Sequence, residues 1–250
     1  MKPAILLVAF GAASPSARKV YAQIEAEVRA AHPDHAVRWA WTARTLVARL
    51  RTQGETVQTL EEALTGLRAE GYTAIAILSL HLVPGEKHRE ILAAPAEGLR
   101  LSFGKALLED SEDLEGVAIE LAAELPTDRP VLVVAHGHAH EVRFNAELRA
   151  LGTLLASFRP DVFLTRLEGD DDPQGLEAFI QRARSLGKVH VAPFLLVAGD
   201  HVASDILGDD PDSLRSRLAV PDFTCGPALG ERAFVRRRFL ARLKTALESV

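Results

Sequence analysis

Short unbroken apolar runs alternate along this chain with longer stretches whose apolar residues recur every third or fourth position. The runs at 4–10, 74–78 and 131–135 contain no polar residue. A strand lacks inside–outside alternation when helices cover both of its faces, so these read as buried strands. Further strands are expected at 36–41, 161–166 and 189–195. Between the first two, Val20, Ile24 and Val28 mark one face of a helix. It should start at Ser14-Pro15, a hydroxyl cap before a proline at the first helical position, and stop before His32-Pro33. Helices are also expected over 43–53, 59–70, 140–157 and from Asp172-Pro173 to about Leu186, with a basic amphipathic helix over 231–250. Thr59 and Glu62 have the spacing of a capping box. Strands alternating with helices predict an α/β protein built from parallel sheets flanked by helices.

The pattern is duplicated. Ile5-Leu6-Leu7-Val8-Ala9-Phe10-Gly11 matches Val131-Leu132-Val133-Val134-Ala135-His136-Gly137, and Leu82-Val83-Pro84-Gly85-Glu86 matches Leu196-Val197-Ala198-Gly199-Asp200. Two matches in the same order at similar offsets predict two lobes of one design. The polar stretch Pro126-Thr127-Asp128-Arg129-Pro130 places the expected boundary there, giving lobes 1–126 and 127–250. The mid-chain copy also favours a strand over a short signal peptide for the apolar run after Met1-Lys2, since a signal cannot lie in mid-chain.

Composition narrows the class. A chain of 250 residues with 48% hydrophobic content buries its own core without staples. A single cysteine, Cys225, excludes an internal disulfide and any cysteine-rich metal site. The 29 basic and 34 acidic residues are interspersed, for a net charge of −5. With no basic block, nucleic acid is not an expected partner. No apolar run approaches the roughly 20 residues that span a bilayer, so no membrane partner is expected and the expected location is cytoplasmic.

Open parallel sheets bind ligands outside the carboxyl ends of their strands. Four segments leave strands there: Phe10-Gly11-Ala12, 80–88, 136–140 and 197–201. They place His136 and His201 at strand ends in the second lobe, and His81, Glu86 and His88 in the facing segment of the first. If His136-Gly137-His138-Ala139-His140 stayed extended, its three histidines would share one face, as metal ligands on a strand do. A solvated loop turning into a helix is the alternative. Glu86 reads equally as a helix-start carboxylate set against the positive end of the dipole. Asp170-Asp171-Asp172 reads as a solvated cap, Arg236-Arg237-Arg238 as an exposed helix face, and Trp39 and Trp41 as packing under helices. His32, His35 and His190 read as structural. The chain lacks the glycine-rich dinucleotide and nucleotide loops and the serine-hydrolase elbow.

Together these segments resemble the anaerobic sirohydrochlorin cobalt chelatases of the CbiK type. The likeness rests on Ala135-His136-Gly137, on Leu195-Leu196-Val197-Ala198-Gly199-Asp200-His201, and on Ser79-Leu80-His81 with Gly85-Glu86. Leu7-Val8-Ala9-Phe10-Gly11 and Leu229-Gly230-Glu231 extend it over essentially the whole chain. The resemblance implies two Rossmann-like, chelatase-like lobes related by a pseudo-twofold, with an active-site cleft between them that holds a tetrapyrrole. It implies insertion of Co²⁺, and often Fe²⁺, into sirohydrochlorin on the way to cobalamin or sirohaem. No organic cofactor is implied, and a homo-oligomer stays open. The family's two metal-binding histidines fall on His136 and His201, and its acidic residue in the segment after Gly85, where Glu86 is the candidate for the catalytic and metal-binding carboxylate. Phe10, Gly11, His81, Gly85 and Gly137 fall in the segments that would meet the tetrapyrrole.

The chemistry fits the residue types. Imidazole nitrogens suit Co²⁺ and Fe²⁺, and histidine also accepts protons near neutral pH. The carboxylates of sirohydrochlorin need basic partners, with Arg44 and Lys87 as candidates. One departure stands out: relatives often carry two adjacent acids after the glycine, whereas Lys87 follows Glu86 here, so His88 and Glu90 become further candidates. Two rival readings are a non-catalytic metal or tetrapyrrole carrier, and a zinc hydrolase built on His136-x-His138-x-His140. In the second, His140-Glu141 stands where such sites carry Asp-His.

Overall fold

A computed structural model of the chain describes residues 3–169 and 172–250, so Asp170 and Asp171 of the acidic run lie outside the described residues. The first part of the chain runs β1 (Ala4–Ala9), α1 (Pro15–Ala31), β2 (Val37–Trp41), α2 (Arg44–Thr52), α3 (Leu60–Ala69), β3 (Ala74–Ser79), α4 (Glu86–Leu92) and β4 (Arg100–Gly104). Its four strands pair in parallel in the order β2-β1-β3-β4. Every residue of β1 and β3 is buried, as their unbroken apolar runs require. Leu6, Val8, Ile75 and Ile77 form one core with Leu60, Leu64 and Leu67 of α3. The caps act as the sequence indicates: Ser14 Oγ accepts from the Ala17 amide at 3.2 Å, and Thr59 and Glu62 close both bonds of a capping box. Trp39 and Trp41 stack on one another beneath Tyr21 of α1.

The later part runs α5 (Ser111–Glu124), β5 (Val131–Gly137), α6 (Ala146–Phe158), β6 (Val162–Glu168), α7 (Pro173–Leu186), β7 (Lys188–Phe194), α8 (Leu214–Leu218), β8 (Asp222–Cys225) and α9 (Ala233–Glu248). Its parallel sheet has the order β6-β5-β7-β8, which is the order of the first sheet repeated. A 3-10 turn, Val142–Asn145, delays α6, which begins several residues later than the expected start at 140. Asp172 accepts from the Gly175 amide at 2.8 Å and caps α7.

The chain divides into two compact units, but not at 126/127. One unit is Met1–Glu109 with Ala233–Val250, and the other is Asp110–Arg232. Two helices account for the correction. α5 packs on α6, and α9 packs on β3 and β4. The Pro126–Pro130 stretch is a turn inside the second unit: Arg159 Nη2 donates to the Pro126 carbonyl at 2.6 Å and Arg129 pairs with Asp222 at 2.8 Å. α9 buries Phe234, Val235, Phe239 and Leu243 in the first unit. Buried Arg242 donates to the Leu107 carbonyl at 2.9 Å, and Ser102 Oγ donates to the Ala246 carbonyl at 2.7 Å. Arg236, expected on an exposed face, is half-buried and paired with Glu27 of α1 at 2.7 Å.

Truncating the buried Phe239 should therefore weaken the first unit selectively. Phe239→Ala is expected to cost about 3–5 kcal/mol in denaturant unfolding. Hydrogen exchange should quicken in β3 and β4 before β5 and β7, and the reverse order would contradict the placement of α9.

Candidate functional site

β5 and β7 are hydrogen-bonded neighbours from Val131↔His190 to Ala135↔Phe194, so the segments leaving them start side by side. β5 continues two residues beyond its apolar run because Gly137 pairs with Glu168 of β6. His136 is thereby held within the strand ladder. Beyond β7, residues 195–199 lead into a short helical turn that is π-helical over Val202–Ile206, with His201 at its head.

These two histidines meet. Their ring centroids lie 4.6 Å apart at 85°, and their Nε2 atoms approach to 3.1 Å. The opposite nitrogen of each ring is committed. His136 Nδ1 lies 2.9 Å from the Gly137 carbonyl, and His201 Nδ1 lies 2.6 Å from Asp205 Oδ2. A carbonyl and a carboxylate can only accept, so both Nδ1 atoms carry a proton, and an imidazole protonated at Nδ1 alone presents a lone pair at Nε2. Two lone pairs at this separation call for a cation or a proton to bridge them. Bonds of about 2.1 Å from a divalent ion, meeting at 90–110°, span roughly 3.0–3.4 Å, which matches the spacing. Half-exposed rings leave that direction open to a ligand.

Asp205 was absent from the residues singled out in the sequence. Its signal was the i,i+4 spacing from His201 at the start of a helical turn. A carboxylate behind a metal-binding histidine fixes the tautomer and raises the basicity of the ligand. His138 and His140 do not join the pair. The His138 ring packs against Phe144 at 5.2 Å between centroids, and His140 is exposed. The extended, one-faced arrangement is lost because Gly137 takes φ +78 and turns the chain. Among the described residues, no three His, Cys, Asp or Glu side chains form a metal-holding group, so the three-histidine zinc arrangement is not formed.

The remaining candidates lie in the first unit. Phe10, immediately after β1, is 56% exposed, which is unusual for a large apolar side chain at a strand end. Gly85 is the N-cap residue of α4, and Glu86 is its exposed first residue. Lys87 donates to Glu86 at 3.2 Å and to Glu90 at 2.6 Å, bonds that raise its own pKa. Arg44 pairs with Glu61 at 2.9 Å on the surface. His81 sits between Ser79 Oγ, 3.1 Å from Nδ1, and Thr42 Oγ1, 3.4 Å from Nε2. Burial, with help from His88 and Lys87, pushes its pKa down to about 3, so at neutral pH it is an uncharged hydrogen-bonding group. His88 is fully buried, with Ser79 Oγ 2.8 Å from Nδ1 and Glu109 Oε2 3.1 Å from Nε2. Burial lowers its pKa against the pull of Glu109, the mark of a residue that supports the loop from within.

The family model described as cobalt chelatase (CbiK) matches residues 3–248. The chain is 31% identical over 239 residues to sirohydrochlorin cobaltochelatase CbiKC of Nitratidesulfovibrio vulgaris, covering 91% of this chain and 83% of that protein. It is 30% identical over 261 residues to sirohydrochlorin cobaltochelatase of Salmonella typhimurium, covering 99% and 97%. Among solved structures, SirB from Bacillus subtilis with Fe³⁺ superposes with a TM-score of 0.67 at 20% identity, over 100% of this chain and 97% of that one. The sirohydrochlorin chelatase SirB of Bacillus subtilis subspecies spizizenii with cobalt gives a TM-score of 0.63 at 18% identity, with the same coverage. These two establish the fold. With sheets of one strand order in both units and a family match over nearly its full length, this chain belongs to the cobalt chelatase (CbiK) family.

Proposed function

We propose that this protein is a sirohydrochlorin cobaltochelatase, a metal chelatase that places Co²⁺ in the macrocycle. The approach of His136 and His201 Nε2 to 3.1 Å, in a chain of this family, carries the reading. The two relatives bear the name of that activity. Co²⁺ is a substrate, held by two neutral nitrogens and by no thiolate, so it is bound and can still be given up. Insertion exchanges one Co²⁺ for two pyrrole protons: two N–H bonds break and their electron pairs replace the imidazoles on the ion. Each imidazole freed of the ion can accept one of these protons. Asp205 and the Gly137 carbonyl keep each Nε2 aimed at the ion. Exposed Phe10 of the first unit carries a ring face suited to stacking on a flat macrocycle.

The reading needs no organic cofactor, engages neither nucleic acid nor membrane, and places the enzyme in the cytoplasm. The interspersed charges argue against a nucleic-acid partner, and none of the helices among the described residues is long and apolar enough to cross a membrane. Fe²⁺ is the competing metal, because its ligand preferences resemble those of Co²⁺.

Anaerobic absorbance assays with sirohydrochlorin and Co²⁺, Fe²⁺ or Ni²⁺ in turn test the proposal. His136→Ala and His201→Ala should each lower cobalt–sirohydrochlorin formation by about 100-fold or more with an unchanged circular dichroism spectrum. Near-normal turnover in both would overturn the assignment. A protein that binds sirohydrochlorin yet shows no spectral change on addition of any of the three metals would be a carrier.

Asp205→Asn keeps the volume and removes the carboxylate charge. Titration with Co²⁺ alone should show an affinity about 10–100-fold lower than that of the unaltered protein. Equal affinities would remove Asp205 from the site.

A further inference from the structure

Asn145 ends the 3-10 turn before α6 and is fully buried, with 0% exposure. Its Nδ2 donates to the His138 carbonyl at 3.1 Å and to the Gly169 carbonyl at 3.3 Å. One acceptor lies on the segment leaving β5 and the other on the segment leaving β6. Backbone already presses against backbone here. A Cβ on Gly137 would stand 2.0 Å from the Glu168 carbonyl oxygen, and one on Gly169 would stand 2.3 Å from that of His138. Both glycines have positive φ, +78 and +64. Arg166, also buried, donates to the Gly169 carbonyl at 3.2 Å.

The amide has one workable orientation. Turned over, its oxygen would face two carbonyl oxygens. As placed, its Oδ1 has no hydrogen-bond partner among the described residues, a cost that an apolar side chain of similar size would avoid. What the amide gives in return is geometric.

We propose that Asn145 is the positioning residue that sets the direction of His136 Nε2. This rests on His136 as a holder of the metal. His136 Nδ1 donates to the Gly137 carbonyl, which belongs to the peptide joining Gly137 to His138. His138 is pinned at both ends, its ring on Phe144 and its carbonyl on Asn145. With His138 fixed, the Gly137 carbonyl has one direction, and the His136 ring that leans on it keeps one rotamer, with Nε2 3.1 Å from His201. Without the amide, the peptide can rock and the ring can turn away while the sheet stays intact.

The test uses the full chain and Co²⁺ alone. Co²⁺ affinity is measured for the unaltered protein, Asn145→Ala, Asn145→Asp and the reference His136→Ala. Imidazole ¹⁵N resonances report the tautomer of each ring in the metal-free proteins. Both Asn145 variants should bind Co²⁺ about 10–100-fold more weakly. The His136 ring should lose its fixed Nδ1–H signature while that of His201 persists, a split that general destabilisation would not produce. Unchanged affinity with an unchanged His136 signature overturns the proposal. If His136→Ala itself binds Co²⁺ as the unaltered protein does, the metal reading of His136 fails first. Asn145→Asp keeps the volume and decides alone if Asn145→Ala does not fold. In the unaltered protein the Asn145 side-chain amide protons should exchange slowly with solvent, and fast exchange also overturns the proposal.

Discussion

Two imidazoles made to face each other at 3.1 Å are the constraint around which the second unit is arranged. Neutral lone pairs repel at that range, so the arrangement persists only if something behind each ring holds it. A peptide carbonyl backs His136 and a carboxylate backs His201. The parallel sheet supplies the first condition, since hydrogen-bonded neighbours lie about 4.8 Å apart and deliver their ends to adjacent positions. Extension of β5 through Gly137 supplies the second, by keeping His136 in the ladder. The π-helical turn after β7 supplies the third, by bringing Asp205 under His201.

Much of this was legible in the sequence because it depends on local order. Apolar runs located β1, β3 and β5, and Ser14, Thr59 and Asp172 marked helix starts through hydrogen bonds that lie within one turn. His136 and His201 stood out because a strand end is a position that sequence can count to. β4, with its sequence Arg-Leu-Ser-Phe-Gly, was missed because it is short and half-exposed, and β8 is shorter still. Helix α5 escaped because its apolar face is narrow and flanked by acids. Asp205 and Asn145 act through contacts that no single period encodes. His138 and His140 were grouped with His136 by spacing, and the turn at Gly137 separates them.

The duplication shows how one scaffold carries unequal chemistry. Phe10 stands in the repeat where His136 stands, and by the same alignment Lys87 stands where His201 does. Both units have the same strand order, so the difference lies in side chains at equivalent strand exits. In the first unit those exits present an exposed aromatic ring and an ammonium engaged by two carboxylates. In the second they present the paired imidazoles. An ancestral fold that repeats need not repeat its ligands.

The return of α9 to the first sheet has a consequence for biosynthesis. The second unit is one continuous stretch, Asp110–Arg232, and can gather its strands as soon as it has been translated. The first unit was begun earlier, yet β3 and β4 wait for Phe234, Val235, Phe239 and Leu243 to arrive from beyond that stretch. On the ribosome, the half that emerges first is therefore the half that matures last.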